Sequence, residues 1–161
     1  MLNRKHILAI HAAAGAAAFL VILSFQTATI IAETLAVPAF IAAVKTGIVF
    51  GLLVLIPVMA AAGATGRRLA GPSPKGLPAR KLRRLALAAS NGVLVLVPSA
   101  LFLAWKARAG MFDAPFFAVQ TLELAAGLAN LILIGLNMRD GFAMTGRFRR
   151  RPIVTRSPRQ A

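Results

Sequence analysis

The chain contains no cysteine and no tyrosine. The lack of cysteine excludes disulfides, thiolate metal sites and thiol catalysis, and the lack of tyrosine excludes phenolic acid–base or radical chemistry. Acidic residues are scarce as well, with 4 aspartates and glutamates against 19 lysines and arginines in 161 residues. The catalytic signatures GxSxG, HExxH and the Walker loop are also missing. These absences leave the question of enzyme activity open and favour a non-enzymatic role.

Long apolar runs dominate what remains, and 58% of the residues are hydrophobic. The runs cover about residues 7–32, 37–63, 85–105 and 115–138. Each is long enough for a helix to cross a hydrocarbon core of about 30 Å, and none shows the period-two alternation of a barrel strand. We therefore predict an all-α integral membrane protein, an antiparallel bundle of four transmembrane helices over residues 1–145. A basic cytoplasmic tail is predicted over residues 146–161.

The basic residues are distributed unevenly around these runs. Sixteen of the 19 lie before the first run, between the second and third, or after the fourth, whereas the other two connections hold only Lys106 and Arg108. The positive-inside rule then predicts that both termini lie on the cytoplasmic side of a bacterial-type cytoplasmic (inner) membrane. The same segments would attract anionic lipid headgroups. The net charge of +15 is thereby explained without a nucleic-acid partner.

Two opposite charges, Lys45 and Glu123, lie inside apolar runs. A charge in hydrocarbon is costly unless it is paired or reaches water, so these residues mark a candidate site. Both lie about eight residues, or ~12 Å, from the outer end of their helices. Helical periodicity places Gln120 on the same face of the fourth helix as Glu123. It also places Gln26 and Thr29 together on one face of the first helix, at a similar depth. The pattern fits a buried salt bridge, a ligand or proton-relay site open to the periplasm, or a Lys45 side chain that extends to the headgroups.

A second polar layer is predicted nearer the cytoplasm. Its members are one imidazole and three amides: His11, Asn91, Asn130 and Asn137. His11 is interpreted as a helix-packing histidine, with contact to haem b or a quinone as an alternative. A single deep histidine cannot supply two axial haem ligands in a monomer. No metal site is expected, because the glutamates lie too far outward to join His11.

Gly47 and Gly51 form a GxxxG pattern, which permits close helix approach. On a helical wheel the two glycines lie roughly opposite Lys45, so they are expected to face another helix or another protomer. We therefore expect a homo-oligomer or a larger membrane complex, in which the chain is a non-enzymatic accessory or scaffold subunit. Two alternatives stay open. One is a small transporter or proton-coupled carrier that uses Lys45 and Glu123, and the other is a haem- or quinone-binding electron-transfer protein.

Overall fold

Helices make up all of the regular structure in residues 3–144, the part of the chain that the computed structural model describes. The four helices are α1 (Arg4–Leu35), α2 (Pro38–Ala70), α3 (Leu77–Arg108) and α4 (Ala114–Met144). All four are long and apolar enough to cross a membrane, which confirms the predicted all-α class with four candidate spans. The predicted domain boundary at residue 145 and the tail over residues 146–161 lie outside the described residues.

The two helix ends at the α2–α3 connection extend well beyond the apolar runs. The helix α2 continues to Ala70 and α3 already begins at Leu77, so only residues 71–76 separate them. The extensions are rich in Arg, Lys, Leu and Ala, which favour helix whether or not they are apolar. Pro78 lies in the first turn of α3, where a missing N–H does no harm. Gly71 and Gly76, the first and last residues of this loop, adopt positive φ angles of 77° and 62°.

The other two connections are short. Ala36 adopts a left-handed conformation with φ of 53° and donates its N–H to the carbonyl oxygen of Ala32, which ends α1. Pro38 then begins α2 in the position that the sequence predicts. Between α3 and α4, Gly110 has a φ of 70°, and the Asp113 carboxylate accepts a hydrogen bond from the N–H of Phe116 at 3.2 Å. This bond caps the start of α4.

The helices form a four-membered ring in the order α1, α2, α3, α4. Each helix packs against its two neighbours in this ring, whereas the diagonal pairs α1/α3 and α2/α4 do not pack directly. We call the end that carries the α1–α2 and α3–α4 connections the short-loop end. The opposite end, with Arg4, the α2–α3 loop and Arg139, is called the basic end. Consecutive helices run in opposite directions.

A π-helical turn over Gly92–Leu96 interrupts α3. It comes directly before Pro98, which has no N–H to donate to the preceding turn. The turn widens the helix by one residue, and the N–H of Val97 bonds to the carbonyl oxygen of Gly92, five residues earlier. Pro57 lies inside α2.

Small and aliphatic residues fill the interior, while large apolar side chains cover the outside. The larger buried cluster consists of Ala18, Ile22, Ile48, Leu52, Leu55, Ala88, Ala100 and Ile134. Outward-facing Phe50, Leu53 and Leu94 are 65%, 72% and 74% exposed. Exposed apolar surface of this extent on all sides is expected of a protein whose surroundings are hydrocarbon.

Candidate functional site

The ion pair of Lys45 and Glu123 lies at the centre of the bundle. The Lys45 ammonium Nζ is 2.6 Å from Glu123 Oε2 and 3.4 Å from Thr29 Oγ1. Lys45 is only 1% exposed and Glu123 7%. Because α2 and α4 are diagonal helices that do not pack directly, the long lysine side chain crosses the bundle axis to reach its partner. The pair therefore links two helices whose backbones do not approach each other closely.

Two glutamines were predicted to join this pair, and the structure places them differently. The Gln120 amide donates to Glu123 Oε2 at 3.5 Å, and the residue is 4% exposed. The Gln26 amide instead donates to the backbone carbonyl of Leu124 at 2.9 Å. A Cβ atom on Gly127 would lie 2.6 Å from Gln26 Oε1, so the missing side chain at Gly127 makes room for this amide. Gln26 thus joins α1 to α4 beside the ion pair.

A small cavity lies next to Glu123. Its volume is about 40 Å³, and its lining includes Gln26, Thr29 and Glu123 together with apolar side chains such as Leu52. A cavity of this size exceeds the ~10–15 Å³ that one water molecule needs, and a water also needs two or more polar partners. The three polar side chains meet that need. The cavity is far smaller than the roughly 300 Å³ at which ordinary organic-ligand pockets begin.

The predicted inner layer of amides and imidazole does not form a single cluster. The Asn91 amide donates to Asn130 Oδ1 and to the carbonyl of Ala126, both at 2.8 Å, and the Asn130 amide donates to the carbonyl of Ala88 at 3.2 Å. These bonds fasten α3 to α4. Asn137 donates to the carbonyl of Lys81 at 3.0 Å, one further step toward the basic end.

His11 lies apart from the asparagines, at the α1–α2 interface. Its Nδ1 is 3.1 Å from the carbonyl oxygen of Ala62 and 3.2 Å from Thr65 Oγ1. Since a carbonyl oxygen only accepts, Nδ1 carries the proton in this contact. Gly66 leaves the space that the ring occupies, because a Cβ there would lie 3.0 Å from His11 Cε1. The histidine therefore contributes to packing between α1 and α2.

The two glycines of the GxxxG pattern differ in their surroundings. A Cβ atom on Gly51 would come within 2.4 Å of Cζ of Phe25, whereas a Cβ on Gly47 would meet nothing within 4 Å. Gly51 therefore accommodates an aromatic ring of α1 within the same chain. Gly47 is exposed, so only this glycine is open to another molecule.

Two further ion pairs lie near the helix ends, and sequence reasoning missed both. Near the basic end, the Asp140 carboxylate is 2.8 Å from Arg84 and 3.5 Å from Arg80. At the short-loop end, the Lys106 ammonium bonds to the Asp113 carboxylate at 2.5 Å. This hydrogen bond holds the pKa of the Asp113 carboxyl below its usual value. The ion pairs of both aspartates could have been expected from the sequence, because each aspartate lies beside or inside a helix end and near basic residues.

Glu33 is the fourth carboxylate of the chain. It lies in the last turn of α1, half-buried, and its Oε1 atom is buried without a hydrogen-bond partner. The charged side chains that act on it electrostatically are Lys45 and Glu123. Sequence reasoning placed the glutamates too far outward to join His11 and did not connect Glu33 with the ion pair. Residues 3–144 contain no group of three or more His, Asp or Glu side chains that could hold a metal ion.

No protein-family model matches this chain, and no curated protein or solved structure is significantly similar to it. The functional argument therefore depends on the geometry of the bundle.

Proposed function

We propose that the chain is a multi-pass protein of a bacterial-type cytoplasmic membrane, with the basic end in the cytoplasm. The four apolar helices support insertion into a bilayer. The concentration of lysines and arginines at one end of the bundle supports the orientation, since such residues are retained on the cytoplasmic side.

The absence of cysteine makes this topology easy to test. Ser73 lies exposed in the α2–α3 loop and Ala109 lies exposed in the α3–α4 connection. A cysteine introduced at either position is the only thiol in the chain. In intact spheroplasts, a membrane-impermeant maleimide should label Ala109→Cys and should label Ser73→Cys only after permeabilisation. The reverse labelling pattern would refute the orientation.

Within that membrane, we propose that the protein acts as a non-enzymatic accessory or scaffold subunit of a larger complex. The closure of the Lys45–Glu123 pair across the bundle axis is the observation that carries this proposal. The pair is bonded within the chain, and the asparagines and His11 are likewise bonded to neighbouring helices. Side chains used in this way hold the bundle in one arrangement. The adjoining cavity is too small for an organic substrate.

The face of α2 around Gly47 is the proposed docking surface. It adjoins a groove between α2 and α3, lined by residues that include Thr46, Phe50, Leu101 and Trp105. The occupant that fits this groove is a transmembrane helix of a partner subunit, because a small residue lets two helix backbones approach closely. A second copy of this chain is the alternative occupant.

A pull-down experiment with matched variants tests this role. Tagged protein is extracted in mild detergent, and its partners and oligomeric mass are measured by mass spectrometry. Gly47→Leu should remove partners, because it adds a large side chain to the docking surface at a position where an added Cβ meets no atom of the bundle within 4 Å. Ala129→Leu, at an exposed position of α4, is the control and should retain them. A chain that is monomeric and free of partners, or equal recovery with both variants, would overturn the proposal.

A small proton-coupled carrier is the second candidate, and the cavity beside Glu123 favours it because the cavity can hold water next to a charged group. Lys45→Met combined with Glu123→Gln removes both charges while keeping similar side-chain sizes. Proton uptake by proteoliposomes that contain this double variant should be lost if the pair relays protons. Unchanged uptake would rule out a relay through the pair.

A further inference from the structure

Glu33 is the one carboxylate in residues 3–144 that has no cation of its own. The whole chain contains only four such side chains. Glu123, Asp113 and Asp140 each lie within 2.8 Å of a lysine or arginine nitrogen. Glu33 has no such contact, and its Oε1 atom is buried without any hydrogen-bond partner.

The charges around Glu33 can be counted from the helices that pack against it. The helix α1 packs only against α2 and α4 among the described helices. The charged groups that these two helices bring to Glu33 are Lys45 and Glu123. With all three side chains ionised, this group would carry one uncompensated negative charge inside the bundle. A buried charge without a partner is strongly disfavoured, and such groups take up a proton instead.

A second buried oxygen adds to this imbalance. Gln120 donates its amide N–H to Glu123 and is 4% exposed, yet its Oε1 atom has no hydrogen-bond partner. Two carboxylate-bearing positions are thus each associated with an unpartnered buried oxygen, Glu33 with its own Oε1 and Glu123 with that of its neighbour Gln120. Both features call for an added hydrogen-bond donor or positive charge.

We propose that Glu33, Lys45 and Glu123 form a proton-binding site in which Glu33 holds one exchangeable proton at neutral pH. Glu123 already accepts the Lys45 ammonium at 2.6 Å, so the proton is assigned to Glu33. A metal cation in this place would be repelled by the Lys45 ammonium. Glu33 is half-buried in the last turn of α1, so protons reach it from the short-loop end. This inference goes beyond the proposed scaffold role and does not depend on it.

Release of the proton would have a defined local consequence. An ionised Glu33 would compete with Glu123 for the Lys45 ammonium. Because Glu33 lies on α1 and Glu123 on α4, this competition would redistribute the contacts that Lys45 makes across the bundle. The site thereby couples proton occupancy at the short-loop end to the central ion pair.

Infrared difference spectroscopy of the full-length protein in lipid nanodiscs measures this proton directly. The carbonyl stretch of a protonated carboxyl group is separate from that of a carboxylate, and only four side chains contribute. We expect one protonated carboxyl per wild-type chain at neutral pH. Glu33→Gln should reduce the number of protonated carboxyls per chain to zero. Lys45→Met should raise it to two, since both glutamates would then lack a cation. Asp113→Asn, which alters an already paired carboxylate, should leave it at one.

Conservative variants test the assignment to Glu33. Glu33→Asp should shift the frequency of the protonated carbonyl band, and Glu123→Asp should leave it in place. These variants keep the charge, so a change in folding does not account for the result. The opposite pattern would overturn the assignment to Glu33. A wild-type protein without a protonated carboxyl would overturn the proton site as a whole.

A sodium titration distinguishes a proton from a metal cation. If the site is a proton site, the carboxyl band at constant pH should be the same in sodium chloride and potassium chloride. A band that decreases with sodium alone would show that the site binds sodium, and it would overturn the proton assignment. None of these outcomes depends on the partners recovered in the pull-down, so the two proposals can fail separately.

Discussion

Removal of one partner of the central ion pair should destabilise the bundle far more than removal of a surface charge. Lys45→Met leaves Glu123 buried without its cation, at a position where the two residues are 1% and 7% exposed. Loss of one partner from a buried pair typically costs about 3–5 kcal/mol. This range corresponds to roughly two to four powers of ten in the unfolding equilibrium.

Arg80→Met provides the matched comparison. The Arg80 side chain is 51% exposed and 3.5 Å from Asp140, which keeps a second partner in Arg84 at 2.8 Å. An exposed ion pair of this kind contributes only about 0–1 kcal/mol. Both substitutions exchange a long cationic side chain for methionine. The difference between them therefore reports on burial.

Reversible unfolding in mixed micelles of mild and denaturing detergent measures both losses, with helical circular dichroism and the fluorescence of the single tryptophan, Trp105, as probes. The double variant Lys45→Met/Glu123→Gln should lie within about 2 kcal/mol of wild type, because a buried pair replaced as a unit is often neutral. Equal losses for Lys45→Met and Arg80→Met would refute this reasoning. So would single-variant losses that simply add in the double variant.

Two further predictions concern the packing and the ends of the helices. Gly51→Ala should destabilise the protein by about 1–3 kcal/mol in the same unfolding assay, because its Cβ would overlap Phe25. Gly47→Ala is the control and should be nearly neutral. Similar losses of stability at both sites would contradict the packing described. The folded-state pKa of Asp113 lies below its unfolded value, so its contribution to stability is fully present above the unfolded pKa and disappears as the pH falls through the folded pKa. The stability difference between wild type and Asp113→Asn should therefore vanish in acid, and a difference that grows as the pH falls would show the opposite sign of linkage.

The depth and face of the polar residues could be read from the sequence, because the rise and periodicity of a helix determine both. Lys45 and Glu123 were matched by depth, and Thr29 and Gln120 by face. The order of the helices around the ring could not be read in this way. Lys45 therefore reaches diagonally across the bundle without a signal in the spacing.

Other details depend on side-chain choices between nearby partners. Gln26 lies at the predicted depth but bonds to the Leu124 carbonyl, because Gly127 leaves space in that direction. The apolar runs also underestimated the helix lengths at the basic end. A hydropathy pattern ends at the first charges, whereas a helix continues through residues such as Arg67 and Arg68, which favour it.

The separation of the ion pair along the chain has a consequence for biosynthesis. Lys45 precedes Glu123 by 78 residues, so in the proposed membrane topology α2 would be inserted long before the carboxylate that pairs with Lys45 on α4 exists. The helix α4 has the lowest mean hydropathy of the four spans, 1.7. Its insertion therefore depends most on helices that are already in place. In the proposed topology, completion of the last span is thus the step that brings Glu123 to the lysine of the second, and a chain truncated before Glu123 would have only Glu33 on α1 to serve as a counter-ion.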